Sequence, residues 1–254
     1  MKIKTIQVVK HLLFLFLFPL VAFSQQLPQR VDLTPYCPIP GNQGNLQSCT
    51  GWAIGYGAMT IEKAKQVNQK NRQIITQNAY SAAFLYQQLN QGNCHKGVTI
   101  TAALALAKQK GNCLAGQFDR RMNNCKQIPG RGLQQKALAN KIKGYQAICT
   151  KKTTALNKIQ VIRQALAKGK PVIASMQLKE NFLQVRKGAK FYWPNQGKQT
   201  ATGGHAIVVV GYDDQKRAFR LMNSMGTNWG DGGFIWVKYE AFQAMCRGAY
   251  VVYI

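Results

Sequence analysis

The sequence predicts an α+β fold, with helices in the first part of the chain and strands in the second. The periodic segments before Lys168 have helical spacing, whereas from Pro171 onwards short apolar runs alternate with glycine and aspartate turns. Segregation of helices from strands is typical of the α+β class. The length of 254 residues suits one sizeable domain or two lobes that share a core.

The N-terminus has the organisation of an export signal. Three lysines precede the apolar run Leu12–Phe23, which is too short to span a bilayer, and small residues around Ser24 suit cleavage. We therefore expect residues 1–24 to be a secretory signal peptide and residues 25–254 to be a secreted or periplasmic mature chain. No other apolar run in the sequence is long enough for a transmembrane helix.

The first predicted helix covers about Thr50–Lys65 and contains three glycines. Gly51, Gly55 and Gly57 each cost up to about 1 kcal/mol relative to alanine inside a helix. We expect this cost to be offset by another segment of the chain that packs closely against the helix face that carries these glycines.

The remaining elements follow from the same patterns. Further helices are predicted at Tyr80–Leu89, Val98–Lys110 and Thr154–Lys168, whereas Cys113–Tyr145 is expected to be an irregular surface excursion held by a disulfide. The apolar face of the last helix consists of Leu156, Ile159, Ile162 and Leu166. The predicted strands are PVIASMQL, HAIVVVGY, AFRLMN, GFIWVKY and AYVVYI.

A cysteine lies where a loop runs into the first helix. The segment Gly41–Ala53 reads GNQGNLQSCTGWA, with loop formers before Cys49 and helical spacing after it. A thiol in the first helical turn experiences the positive end of the helix dipole, which favours the nucleophilic thiolate. The amide of Gln43 and the backbone N–H of Cys49 are candidate donors to an oxyanion formed at this position.

Two further residues complete a catalytic pattern. His205 opens the strand HAIVVVGY, and Asn223 follows the next strand, in LMNSMGTNWGDGG. A cysteine near the N-terminus followed much later by histidine and asparagine is the order described for papain-type thiol proteases. With Trp52, Asn223-Ser224 and Trp229-Gly230, these segments resemble the papain family (peptidase family C1) over about Val31–Ile254.

The resemblance implies a papain-like two-lobe fold with a cleft between the lobes. The helical lobe covers about residues 25–150, and the lobe built on an antiparallel, barrel-like sheet covers about residues 151–254. In this arrangement Cys49 is the nucleophile, His205 is the general base and acid, and Asn223 orients the imidazole.

The resemblance also implies substrate-binding positions. In the segment GNCHKG, Gly97 keeps a position expected to hydrogen-bond the substrate, whereas Lys96 replaces a glycine of the family pattern. Gly204 lies where the family offers a backbone carbonyl to the substrate. Met225 replaces the tryptophan that usually covers the Asn–His bond, and Trp229 is expected to cover part of that bond.

Family members commonly carry an inhibitory prosegment before the mature domain. Here only Gln25–Val31 separate the expected cleavage site from Asp32. We therefore expect no separate prosegment, and we expect activity to be controlled by export and disulfide formation.

The formal net charge is +26, with 34 basic residues and eight carboxylates. Such a surface adheres to polyanions through a salt-dependent interaction. The sequence contains no zinc-finger or other nucleic-acid-binding signature, so we expect non-specific polyanion binding in addition to a protein or peptide substrate.

The seven cysteines form an odd number for an exported chain. If Cys49 is the nucleophile, the other six can form three bridges with 15 possible connectivities. These six are Cys37, Cys94, Cys113, Cys125, Cys149 and Cys246. No metal-site spacing is present, and we expect neither a metal nor another cofactor.

The predicted function is that of a secreted cysteine endopeptidase. One alternative is a cationic papain-fold toxin or adhesin with little turnover. Another is a thiol amidase that acts on anionic cell-envelope material, because the same catalytic groups serve both chemistries.

Overall fold

The computed structural model describes residues 26–118, 125–192 and 201–254. The predicted signal peptide, residues 1–24, lies outside the described residues. Within them, no helix combines the length and the apolar character needed to cross a membrane. A cluster of buried apolar side chains joins the helices to a large sheet.

The sheet is mostly antiparallel and is built around strand β5. Its strands follow the order β2-β8-β3-β5-β6-β7-β4, and β1 pairs with β5 outside this order. Only the β4–β7 pairing is parallel among the described strands. The strands are β1 Arg30–Asp32, β2 Gly144–Cys149, β3 Val172–Lys179, β4 Phe191–Tyr192, β5 Ala201–Asp213, β6 Ala218–Met222, β7 Phe234–Lys238 and β8 Cys246–Tyr253.

All five predicted strand segments are strands in the structure. β5 lies between β3 and β6, and helices pack against it. Since Val208, Val209 and Val210 are all almost fully buried, both faces of the strand are covered. The sequence did not predict β1 and β2, which pair with β5 and β8 respectively.

One long helix carries Cys49 and packs against β5. It begins as α1 (Cys49–Gly51), continues as a π-helix (Trp52–Met59) and ends as α2 (Thr60–Gln66), and we call the whole the Cys49 helix. The predicted helix over Thr50–Lys65 is therefore confirmed.

The glycines of the Cys49 helix lie where neighbouring segments come closest. A Cβ atom on Gly51 would collide with the backbone carbonyl oxygen of Ala82. A Cβ atom on Gly57 would lie 2.5 Å from Cγ2 of Val208 in β5. The expected close approach is confirmed, and it brings the helix into direct contact with the sheet.

The other helices surround the Cys49 helix and β5. They are α3 Arg72–Gln77, α4 Ala82–Gln87, α5 Ile100–Lys110, α6 Arg131–Ala137, α7 Ala155–Ala167, α8 Glu180–Leu183 and α9 Tyr239–Met245. Short 3-10 turns occupy Thr34–Tyr36 and Leu138–Asn140. Thr154 caps α7 by accepting a hydrogen bond from the Asn157 N–H, and Gly111 ends α5 with a φ of +72°.

Two predictions about the helices are wrong. Cys113–Tyr145 is not irregular throughout, because it contains α6. Leu156 does not belong to the apolar face of α7, since 76% of this residue is exposed, whereas Ile162 and Leu166 are fully buried. The sheet reaches the later turns of α7 and leaves its first turn in solvent.

The cysteines do not form three bridges. One disulfide joins Cys94 to Cys125, with 5.4 Å between their Cα atoms, and it ties the chain after Cys113 to the loop that precedes α5. Cys37 and Cys113 are buried free thiols, and burial raises the pKa of each, that of Cys113 to about 12. Of the six cysteines that the sequence allowed to pair, Cys37 and Cys113 are therefore unpaired in the structure.

Candidate active site

Cys49 is the first residue of its helix. The preceding loop, residues 41–48, turns through Gly44 at a φ of +59°, and the Trp52 N–H donates to the Ser48 carbonyl at 3.2 Å to start the helical bonding. The Cys49 side chain is partly exposed, whereas Ser48 and Thr50 are buried. The sulfur therefore faces an accessible space from a rigid backbone.

His205 lies on β5, opposite Met176 of β3. Its ring is buried, with 7% of the residue exposed. The ring Nε2 atom is 2.8 Å from Oδ1 of Asn223, and the side chain also hydrogen-bonds the Cys49 sulfur. The imidazole therefore connects the sulfur to the amide.

Asn223 directly follows β6, the strand beside β5. Its backbone N–H donates to the Gly233 carbonyl at 3.0 Å, and its Oδ1 also accepts from the Ser224 N–H at 2.9 Å. These two bonds hold the amide in the orientation that presents Oδ1 to His205. The structure brings the three predicted residues into one hydrogen-bonded series.

The environment of Cys49 favours its thiolate. Burial alone would raise the pKa of the thiol, but the hydrogen bond and the charge of His205 act in the opposite direction. The backbone N–H of Ala206 and the side chain of Thr50 add further hydrogen bonds to the sulfur. The net result is a pKa for Cys49 below the ordinary thiol value.

Gln43 is tied into the loop that precedes Cys49. Its Nε2 donates to the Leu46 carbonyl at 2.8 Å, and its Oε1 accepts from the Ser224 hydroxyl at 2.6 Å. The amide nitrogen carries two hydrogens, so one remains for another acceptor. Gln43 thus links the loop before Cys49 to the loop that carries Asn223.

A cavity of about 510 Å³ opens beside Cys49 and His205. Gly97 and Gly204 both line it, as the sequence predicted for substrate contacts, and both are exposed. Val98, Ser175 and Tyr250 are further lining residues. Lys96 is not among the lining residues, and its ammonium hydrogen-bonds Gln91 Oε1 at 2.6 Å. Among the residues that the structure describes, those that line the cavity include no acidic side chain and no lysine or arginine.

Met225 and Trp229 occupy different surroundings. Met225 is half-buried and forms an isolated β-bridge with Asn42 in the loop before Cys49. Trp229 is buried, with its ring centre 5.4 Å from that of Phe182 and its indole N–H donating to the Phe182 carbonyl at 3.3 Å. Its indole nitrogen is therefore directed at the backbone of α8.

Sequence reasoning missed three contributors to the site. Ala206 supplies a backbone hydrogen bond to the sulfur, Ser224 joins Gln43 to the Asn223 loop, and Tyr250 reaches the cavity from β8. The first two directly follow predicted residues in the chain, which is the only signal that pointed to them. In the part of the chain that the structure describes, no group of three or more His, Cys, Asp or Glu residues could hold a metal ion.

The fold and the site together define an α+β protein of the papain-like class. The structure is similar to that of xylellain, a cysteine protease from Xylella fastidiosa, with a TM-score of 0.73 and 24% identity over 90% of this chain and 87% of xylellain. It is also similar to digestive procathepsin L 3 from the larval midgut of Tenebrio molitor, with a TM-score of 0.69 and 18% identity over 93% and 73% of the two chains.

Residues 27–253 match the model of the papain family of cysteine proteases, and the chain belongs to this family. An uncharacterized peptidase C1-like protein of Acanthamoeba polyphaga mimivirus is 26% identical over 78% of this chain and 64% of its own length. Cathepsin B-like cysteine proteinase 3 of Ostertagia ostertagi is 30% identical over 31% of this chain and 44% of its own length. The matches therefore span less than two thirds of the length of these relatives.

Proposed function

We propose that this protein is an exported cysteine endopeptidase that hydrolyses peptide bonds through an acyl-enzyme. The observation that carries the proposal is the hydrogen-bonded series from the Cys49 sulfur through His205 to Asn223. A scaffold without chemistry has no need of a thiol with a lowered pKa beside a buried imidazole. Membership of the papain family supports the same conclusion.

The reaction begins with the Cys49 thiolate and the His205 imidazolium. The sulfur attacks the carbonyl carbon of the scissile peptide bond, and the imidazolium gives its proton to the departing amine. His205 then takes a proton from water, which attacks the thioester and releases the thiolate. Asn223 keeps the ring in one orientation through both steps, because Nε2 stays bound to Oδ1.

The tetrahedral intermediates need donors for the oxyanion. We assign this role to the Cys49 backbone N–H, which as a first-turn helix donor has no acceptor within the helix, and to the remaining N–H of Gln43. The extended substrate lies along the cavity, where the backbones of Gly97 and Gly204 are exposed to it. Met225 lies beside the loop before Cys49, which suits a contact after the scissile bond. We propose that the buried Trp229 covers part of the bond between Asn223 and His205.

The experiment compares Cys49→Ala with the unaltered protein. We expect Cys49→Ala to lose casein hydrolysis and labelling by a thiol-directed epoxide, while the circular dichroism spectrum and the melting temperature stay the same. Cys113→Ala is the matched control, because Cys113 is a buried free thiol with a raised pKa. Retained hydrolysis in Cys49→Ala, or loss of epoxide labelling in Cys113→Ala, would contradict the proposal.

Export is part of the proposal and rests on the residues 1–24 alone. Edman sequencing of the protein recovered from the medium or periplasm of the expressing cells tests it. We expect the mature N-terminus at Gln25, and recovery of the uncleaved chain from the cytoplasm would contradict it.

The charge distribution supports a second candidate, a thiol amidase acting on anionic cell-envelope material. Every carboxylate whose side chain the structure describes forms an ion pair with lysine or arginine, so the large excess of basic residues has no acidic partner. Digestion of casein and peptidoglycan side by side separates the two candidates. Rapid release of peptidoglycan fragments without casein hydrolysis would favour the amidase.

A further inference from the structure

Cys149 and Cys246 lie far from Cys49 along the chain, on two strands that pair with each other in the sheet. Cys149 is the last residue of β2 and Cys246 is the first residue of β8. The two strands pair with Cys149 opposite Ala249, and the register shifts just before this pair. Both side chains are buried, with 3% and 0% exposed. Both cysteines also lie against Gly248: the Cys246 sulfur donates to its carbonyl at 3.6 Å, and the Cys149 carbonyl oxygen would be 3.5 Å from a Cβ atom on Gly248.

We propose that Cys149 and Cys246 form a second disulfide bond when the protein folds in an oxidising environment. Two buried thiols on paired strands that lie against the same residue are placed for a disulfide bond. The other buried thiols differ in this respect, because no second cysteine is among the groups that shift the pKa of Cys37 or Cys113. The proposal does not depend on the proposed peptidase activity.

A buried lysine supports the chemistry. Lys158 of α7 is 7% exposed, and its ammonium donates to the Cys246 carbonyl at 2.9 Å. None of the ion pairs in the described part of the chain includes Lys158. The proximity of Cys246 lowers the pKa of Cys149 against the effect of burial, and the charge of Lys158 lowers it further. The same contact, together with burial, raises the pKa of Cys246.

Before β8 closes against β2, the charge of Lys158 on α7 still favours the Cys149 thiolate, which reacts with a small-molecule disulfide such as oxidised glutathione. The Cys149 thiolate attacks one sulfur of the oxidant, forms a mixed disulfide and releases one thiolate. Cys246 loses its proton to the released thiolate and attacks the Cys149 sulfur, which releases the second half of the oxidant as a thiolate. The protein loses two hydrogens in total, and the oxidant becomes two thiols. Since both sulfurs are buried in the finished fold, the exchange takes place before β8 closes against β2.

The bridge would also support one side of the cavity. Cys246 lies opposite Met176 of β3, and Met176 lies opposite His205 of β5. Four residues after Cys246, Tyr250 of β8 lines the cavity. A covalent bond at the start of β8 therefore fixes the register of the strand that supplies this part of the cavity wall.

The experiment counts thiols in protein refolded with a glutathione redox buffer and then denatured without reductant. The structure has five free cysteines, so formation of the bridge leaves three. A non-reducing peptide map should contain a fragment that joins the Cys149 and Cys246 peptides. Five thiols with no such fragment, or a bridge that uses another pair, would overturn the proposal.

Single cysteine substitutions give a second test of whether the bridge forms. If the bridge forms, Cys149→Ser releases Cys246 and raises the thiol count by one, whereas without the bridge the same change lowers the count by one. Cys37→Ser is the matched control and should lower the count by one in either case. We expect the double variant C149S/C246S to melt roughly 5–15 °C below the oxidised protein, as for the loss of a disulfide that closes a long loop. Lys158→Met should slow bridge formation several-fold without preventing it.

Discussion

Asn223→Ala tests the hydrogen bond that orients the imidazole. The bond between Nε2 of His205 and Oδ1 of Asn223 is 2.8 Å long, and only 3% of Asn223 is exposed, so water does not replace the lost acceptor easily. A hydrogen bond to a charged group contributes about 1.5–3 kcal/mol. If the full amount is lost from the transition state, kcat/KM falls by about 10- to 150-fold.

The assay is hydrolysis of a fluorogenic peptide amide over a range of pH, with thiol-directed epoxide labelling of Cys49 in parallel. The matched variant is Asn223→Asp, which keeps an acceptor near Nε2. It removes little else, because the Nδ2 atom of Asn223 has no hydrogen-bond partner among the described residues. A carboxylate there favours the imidazolium, so we expect activity to persist to higher pH than in the unaltered protein.

Two results would refute this reasoning. The first is an Asn223→Ala variant whose kcat/KM stays within twofold of the unaltered protein, which would mean that other contacts orient His205. The second is an Asn223→Asp variant that is no more active than Asn223→Ala at any pH. In that case the acceptor at this position does not matter, and the loss in Asn223→Ala reflects a disturbed loop. Equal melting temperatures of the two variants are needed for the comparison.

Further predictions concern packing, the cleft and the thiol. Gly51→Ala should lower the free energy of unfolding by about 1–3 kcal/mol, because the new Cβ atom would collide with the Ala82 carbonyl. Gly132→Ala in α6 should raise the free energy of unfolding by about 0.5–1 kcal/mol, because no atom lies within 4 Å of the new Cβ position. Chemical denaturation measures both changes. Met225→Trp should alter the preference for residues after the scissile bond in a peptide-library digest, and an unchanged profile and rate would contradict this. Because the pKa of Cys49 is lowered, its alkylation by iodoacetamide should remain fast below the ordinary thiol pKa and decline as pH falls through the lowered value. In His205→Ala burial dominates, so the decline should move to higher pH, and an unmoved profile would show that His205 does not stabilise the thiolate.

The fold class could be predicted from the spacing of apolar residues, and the three central site residues could be predicted because their segments, each weak alone, form a strong signal together. The apolar run of β5 contains β-branched residues and is bounded by turn formers, so its strand character is clear from the sequence. The three glycines of the Cys49 helix indicated close packing, although they could not identify Ala82 or Val208 as the neighbours. The order of cysteine, histidine and asparagine along the chain identified the three catalytic residues.

The structural elements that the sequence did not predict depend on contacts between residues that are distant in the chain. Strand β2 is largely exposed except at Cys149, so its residues show little apolar alternation, and its pairing with β8 decides its structure. The helical period of α7 correctly placed Ile162 in the core but could not show that the sheet ends before Leu156. Cysteine pairing likewise depends on which strands become neighbours, and the sequence could not restrict it.

The meeting of Cys49 and His205 follows from the contact between Gly57 and Val208. Gly57 lies eight residues after Cys49, which is at most about 12 Å along the helix axis at the α-helical rise of 1.5 Å per residue, because Trp52–Met59 is a π-helix with a smaller rise. Val208 lies three residues after His205, which is about 10 Å along a strand at 3.3 Å per residue. Because the two lengths are nearly equal, fixing Gly57 against Val208 brings Cys49 and His205 to the same level at one end of the packed pair. The absence of a side chain on Gly57 permits this approach, and so a residue with no functional group of its own sets the distance between the sulfur and the imidazole.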